Sequence, residues 1–258
     1  MKRARWIVGV AALVLILGAG CEQISEIGKP VVVVTVTNSG ATLHLTWTAV
    51  TDAEGYRIKA GDSTWTTTST SFDVSVPAKK VEVTAYSGTL ESDPWTLDCA
   101  VEETSTLVLY GISDPDPNHP SGLAFTTSGT ATALSLSTAN KPSIDFVCDD
   151  QNITPVGLVN AGDYTWPENS KGNALKNSGS ANYDDVKIAD APGAYTTQLT
   201  ISAGAVYYLW LDHQNNNWDV TDHFAKAKVV SIEDVGGSKK VTLKLGYQKV
   251  GGLRWLVN

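Results

Sequence analysis

The residues best suited to chemistry lie in one polar stretch, Asp212-His213-Gln214-Asn215-Asn216-Asn217-Trp218-Asp219-Val220-Thr221-Asp222-His223. His213 and His223 close its two ends. Imidazoles placed at both ends of a strand-to-strand loop can approach each other and ligate iron or zinc through nitrogen. Asp212, Asp219 and Asp222 offer hard carboxylate oxygens, which suit calcium instead. The spacing fits no EF-hand or zinc signature, and Asn and Asp are also the residues that favour turns. The stretch therefore reads as a solvated loop, or as a site for a metal ion or haem. A second candidate is Asp114-Pro115-Asp116-Pro117-Asn118-His119-Pro120. Its carboxylates two residues apart could hold a cation, while its prolines make a stiff connector.

Aromatic side chains supply a different chemistry. Trp47, Trp210 and Trp255 sit on the apolar faces of alternating runs and read as core. Trp65, Trp166 and Trp218 fall in turn-rich stretches. Exposed tryptophans stack on sugar rings or on partner proteins, so these three are the candidates for a binding surface. Packing under a loop is the alternative for each. His44, between Leu43 and Leu45, reads as a solvated strand residue. Catalytic motifs are missing: there is no Gly-x-Ser-x-Gly elbow, no His-Glu-x-x-His, no phosphate-cradling glycine loop and no reactive-cysteine setting. The carboxylates are scattered through loops, which argues against paired acid–base work on a glycan. A non-enzymatic binding role is expected.

Residues 1–21, MKRARWIVGVAALVLILGAGC, set the compartment. Lys2, Arg3 and Arg5 precede an apolar run from Trp6 to Leu17, and Gly18, Ala19 and Gly20 lead into Cys21. This is a secretory leader, short for a permanent membrane span. Small residues directly before a cysteine resemble the lipobox of bacterial lipoproteins, although Leu17 stands one place further out than that family's large aliphatic residue. The resemblance implies cleavage after residue 20 and acylation (palmitate) at Cys21. Glu22 then resembles enterobacterial sorting signals that favour the outer membrane or the cell surface. An ordinary cleaved leader is the alternative. Loss of the leader's three positive charges would take the net charge from −8 to −11. An acidic exported chain is a poor partner for nucleic acid or for anionic headgroups, so attachment to the membrane would rest on acyl chains. Cys99 and Cys148 would remain, each on the apolar side of its run. They could form a disulfide closing a loop of about 50 residues, contributing roughly 3–4 kcal/mol, or stay as two buried thiols.

The elements that must position these groups are strands. Apolar residues recur with period two almost throughout, and Thr, Val, Ser and Gly are abundant, so the fold class is all-β. Residues 21–29 form a polar tether. Residues 30–98 hold short strands at roughly ten-residue spacing, the pattern of a two-sheet sandwich. Leu43-His44-Leu45-Thr46-Trp47, Ala53-Glu54-Gly55-Tyr56-Arg57-Ile58 and Lys80-Val81-Glu82-Val83-Thr84-Ala85-Tyr86 resemble a fibronectin type III domain, in which the tryptophan and tyrosine are core residues. That resemblance implies a spacer or adhesive module.

Residues 104–258 hold ten further strand candidates and no internal repeat, which suggests a larger β-sandwich or jelly-roll. Ala205–Leu211, apolar on both faces, should be a central strand. Lys240–Gln248 and Leu253–Val257 read as a hairpin pair. Residues 163–195 look like a long excursion with one short helix near Asn173–Asn177. His223-Phe224-Ala225-Lys226-Ala227-Lys228-Val229, taken with Val241–Gln248, resembles the tail of small Bacteroidota-type β-sandwich lipoproteins. Some of those bind haem between histidines, so the resemblance implies His213 and His223 as candidate ligands. The functional expectation is a lipid-anchored envelope protein that binds a glycan, a matrix component or a protein. Haem or metal capture, and an accessory or hydrolytic role on polysaccharide, are the alternatives.

Overall fold

The computed structural model describes residues 26–258 apart from Thr127, Thr165, Pro167, Glu168 and Asn216. The leader and Cys21 lie outside the described residues. The fold is all-β. In the first module the alternating runs become β1 (Val32–Thr37), β2 (Thr42–Trp47), β3 (Gly55–Ala60) and β4 (Ser63–Thr67), then β5 (Ser71–Val74), β6 (Lys80–Ser87), β7 (Leu90–Glu91) and β8 (Trp95–Asp98). One sheet has the order β1-β2-β5 and the other the order β4-β3-β6-β7, with β8 also paired to β6. Leu43, Leu45 and Val74 from the first sheet meet Ile58, Val81 and Val83 from the second, all fully buried. Trp47 and Tyr56 pack edge to face with ring centroids 5.1 Å apart.

β4 was not expected, because Ser63-Thr64-Trp65-Thr66-Thr67 carries almost no apolar signal. It is an edge strand held by its ladder to β3, with Ile58 opposite Trp65. Trp65 therefore sits on a strand and packs against Phe72 at 5.5 Å, where the sequence had placed it in a turn.

The second module contains β9 (Glu102–Tyr110), β10 (Gly122–Phe125), β11 (Ala131–Leu134), β12 (Phe146–Asp149) and β13 (Gly157–Asn160). It continues with β14 (Ala174–Asn177), β15 (Gln198–Thr200), β16 (Val206–Leu211), β17 (His223–Val235) and β18 (Ser238–Tyr247). Two five-stranded antiparallel sheets, β11-β10-β12-β13-β15 and β14-β16-β17-β18-β9, enclose one core. β16 is interior, as its two-sided apolarity demands. β17 and β18 form a long hairpin in which Ala225 faces Tyr247 and Ala227 faces Leu245.

Two expectations are corrected, and a third point that the sequence leaves open is decided. Residues 174–177 form a strand instead of a helix, because pairing with β16 satisfies their backbone and buries Ala174 and Leu175. Leu253–Val257 does not pair with β18, whose free side is taken by β9. Instead it crosses to the first module: Leu253 and Trp255 are fully buried in that core, and the Trp255 indole N–H donates to the Ala41 carbonyl at 3.0 Å. The third concerns the cysteines. Both are free and buried, Cys99 in the core of the first module and Cys148 in that of the second, so no disulfide links them. Burial pushes the Cys99 thiol up to about 12 and the Cys148 thiol higher still, which removes the thiolate that exchange chemistry needs.

Candidate functional site

β12 enters its sheet through Ile144-Asp145-Phe146. Phe146 and Cys148 face the main core, while Val147 faces the opposite side of the sheet and packs with Ala161, Tyr164 and Trp166. Ile144 joins Val147 on that outer side, out of the strict alternation the sequence suggests, because the strand begins only at Phe146. Asp145 sits at this irregular point and is fully buried.

A buried carboxylate is costly unless it is paired and hydrogen-bonded. Asp145 is both. Its Oδ2 accepts the Phe125 backbone N–H at 2.7 Å. Its Oδ1 lies 2.8 Å from Lys171 Nζ and 2.9 Å from His213 Nε2, and the buried Asn173 amide approaches it at 3.3 Å. Burial pushes the Asp145 pKa up, but the His213 hydrogen bond and the Lys171 ammonium together overturn this and leave it below the ordinary carboxylate value. His213 is thus a partner of a carboxylate 68 residues earlier.

The same network props open a cavity of about 460 Å³ beside it, walled by Trp166, Tyr164, Asn160, Asp163, Lys171 and Asn215. Tyr164 and Trp166 stack with centroids 5.1 Å apart, and the Lys141 ammonium lies over the Trp166 ring at 5.0 Å. The Tyr164 hydroxyl donates to Asp149 Oδ2 at 2.6 Å, which fixes its ring. Asn169, also buried, donates to the Lys141 and Ile144 carbonyls and so ties the 169–172 segment to the start of β12. The segments come close enough that glycine is required at two places. A Cβ on Gly162 would lie 2.0 Å from the Lys171 carbonyl oxygen, and one on Gly172 2.8 Å from the Asn215 Cα. Asn160 is buried; its amide donates to Asp163 Oδ1 and to the Lys171 carbonyl, and its Oδ1 has no partner among the described residues. The cavity therefore combines an aromatic wall with amide, carboxylate and ammonium groups, as sites that recognise small polar ligands do.

The structure separates the other sequence candidates. His223 stacks on Tyr247 at 5.1 Å, and its Nδ1 donates to the Gln248 carbonyl at 3.0 Å. Burial lowers its pKa, so the ring is neutral at physiological pH. Asp219 accepts two bonds from Thr221, and its backbone N–H donates to Asp222 Oδ2. Asp222 is fully buried and also accepts the Trp210 indole N–H at 3.0 Å. Burial, with Asp212 and Asp219 nearby, pushes its pKa up to about 6. Asp212 is buried as well. No set of three or more histidine, cysteine or acidic side chains among the described residues is arranged to hold a metal ion. Trp218 packs on the outer cluster around Phe224 and donates to the Gly252 carbonyl at 3.2 Å. In the 114–119 loop, Asp114 bonds His119, which stacks on Tyr110 at 3.9 Å, and Asp116 caps Asn118.

Of the three candidate tryptophans, Trp166 alone lines this cavity. Sequence reasoning missed Asp145, Asn160 and Lys171. The available signal was one carboxylate inside the apolar run Ile144-Asp145-Phe146-Val147-Cys148. No protein-family model matches the chain, and no curated protein does either.

Proposed function

We propose that this is a lipid-anchored cell-envelope protein whose second sandwich binds a glycan without catalysis, in the cavity beside Trp166. The observation that carries the reading is the stacked Tyr164–Trp166 pair next to Asn160, Asp163 and Lys171. An aromatic face takes the apolar side of a sugar ring, while amides and carboxylates take its hydroxyls. The first module serves as spacer. Its three-stranded sheet packed on a larger one, with Trp47 on the second strand and Tyr56 on the third, supports the fibronectin type III reading. Haem capture is the weaker reading, because His213 would have to leave Asp145.

Two experiments test this proposal. Trp166→Ala should abolish binding on an array of bacterial and host glycans while leaving the melting temperature within a few degrees. An array with no hit for the wild type, or a hit that survives the substitution, overturns the glycan reading. Radiolabelled palmitate should enter the wild-type protein and not Cys21→Ala; equal labelling of the two overturns the anchor at that residue.

A further inference from the structure

A second crevice, away from the Trp166 cavity, lies where the two modules meet. It encloses about 520 Å³ between the β3–β4 turn, the β5–β6 connection and the end of the chain. Its floor is apolar: Ala60 and Ala78 are buried there, and Val257 closes one side. Val76, one of the few large apolar side chains in solvent, is 42% exposed on its wall.

Its rim is cationic. Lys59, Lys79, Lys80 and Lys187 border it, against only Asp62 and Glu82, in a chain whose net charge is −8. Lys80 is paired with Glu82 at 2.7 Å. The ammonium groups of Lys59, Lys79 and Lys187 have no ion pair or hydrogen bond among the described residues, whereas most of the remaining lysines do. Unpaired like charges around one apolar floor repel each other, and an anion with an apolar body relieves that repulsion while covering the floor. The volume is that of a small-molecule site, and junctions between modules are frequent places for one.

The modules are held in register around this crevice. Arg254 donates from its backbone to the Gly40 carbonyl and from its side chain to the Ser39 carbonyl, and Trp255 plugs the first core. Lys187 and Val257 come from the second module and the rest of the lining from the first, so neither module forms the site alone.

We propose that this junction crevice binds a small amphiphile that carries a phosphate or carboxylate head on a short apolar body. Hexyl phosphate is the positive probe, with inorganic phosphate and 1-hexanol as its two halves. Each is titrated calorimetrically into the full chain held in nanodiscs of uncharged lipid. Hexyl phosphate should bind saturably with one site per chain, at least about tenfold more tightly than either half, and more weakly as salt is added. The double substitution Lys79→Gln with Lys187→Gln, at exposed positions, should weaken it by about tenfold without moving the melting temperature. Trp166→Ala should leave it unchanged, which separates this site from the glycan cavity. No saturation below about 10 mM, equal affinity for either half, or indifference to the lysine substitutions would overturn the proposal.

Discussion

Asp145 and Asp222 are both fully buried carboxylates in the second module, and their environments drive them in opposite directions. Around Asp145 the chain gathers an ammonium, an imidazole, a backbone N–H and a side-chain amide. These interactions outweigh desolvation and hold the group ionised. Around Asp222 it gathers only neutral donors, the Trp210 indole and the Asp219 backbone N–H, with two further carboxylates close by. Desolvation prevails there and the proton is retained up to about pH 6. One Asp222 oxygen has no partner among the described residues. Burial alone does not decide what a carboxylate does; the charge brought to it does.

Asp145 is the more sensitive of the two positions. Asp145→Ala would leave the Lys171 ammonium, whose side chain is only 14% exposed, with the Ser143 and Ile144 carbonyls but no counter-charge, and would leave the Phe125 N–H without its acceptor. Removing one member of a buried pair costs about 3–5 kcal/mol, and urea unfolding should show a loss of that size. A loss below about 1 kcal/mol would mean that the pair is not buried as described.

Asp222→Asn should act in the opposite sense. Because the folded-state pKa is raised, the folded protein holds a proton that the unfolded chain has already released between about pH 4 and 6, so stability falls as pH rises through that window. The amide can keep the Trp210 and Asp219 hydrogen bonds without the charge. The variant should therefore be more stable than wild type by roughly 1–3 kcal/mol at pH 8. The gain should vanish near pH 4, as followed by thermal melts across pH. A gain independent of pH would remove the proton from the explanation.

On the acid side the linkage reverses. Asp145 has a depressed folded pKa, so its contribution is present above the unfolded-state value and is lost as pH falls through the lower, folded one. Lys171→Met removes the ammonium and should move the acid-unfolding midpoint upward by about one pH unit, measured by circular dichroism. The smallest effect belongs to His213. Its side chain is 48% exposed, so His213→Gln should cost no more than about 1 kcal/mol at neutral pH. A cost as large as that of Asp145→Ala would show that the imidazole, and not Lys171, is the main partner.

How far the sequence could reveal these features depended on distance along the chain. Period-two alternation through Val241, Leu243 and Leu245 made β18 legible, because the pattern is local to a strand. β4 was hidden by its threonines, since an edge strand needs little burial to pair. Ala174–Asn177 is too short for any period to assert itself, and its state was set by β16. Asp145 was visible only as an oddity in an apolar run, because Lys171 lies 26 residues away and His213 lies 68. Trp166 lines a cavity, while Trp65 and Trp218, which look equivalent to it in the sequence, respectively pack on Phe72 and donate to the Gly252 carbonyl.

The order of residues by itself determined that the chain forms sheets, and which side of most strands is apolar, because alternation acts between neighbours two apart. Only the tertiary structure decided that Leu253–Trp255 would complete the core of the other module, that Cys99 and Cys148 would stay apart, and that one buried aspartate would be held ionised by cationic partners while another would keep its proton up to about pH 6. Those outcomes depend on groups brought together from distant parts of the chain, and pairing, desolvation and charge act through space.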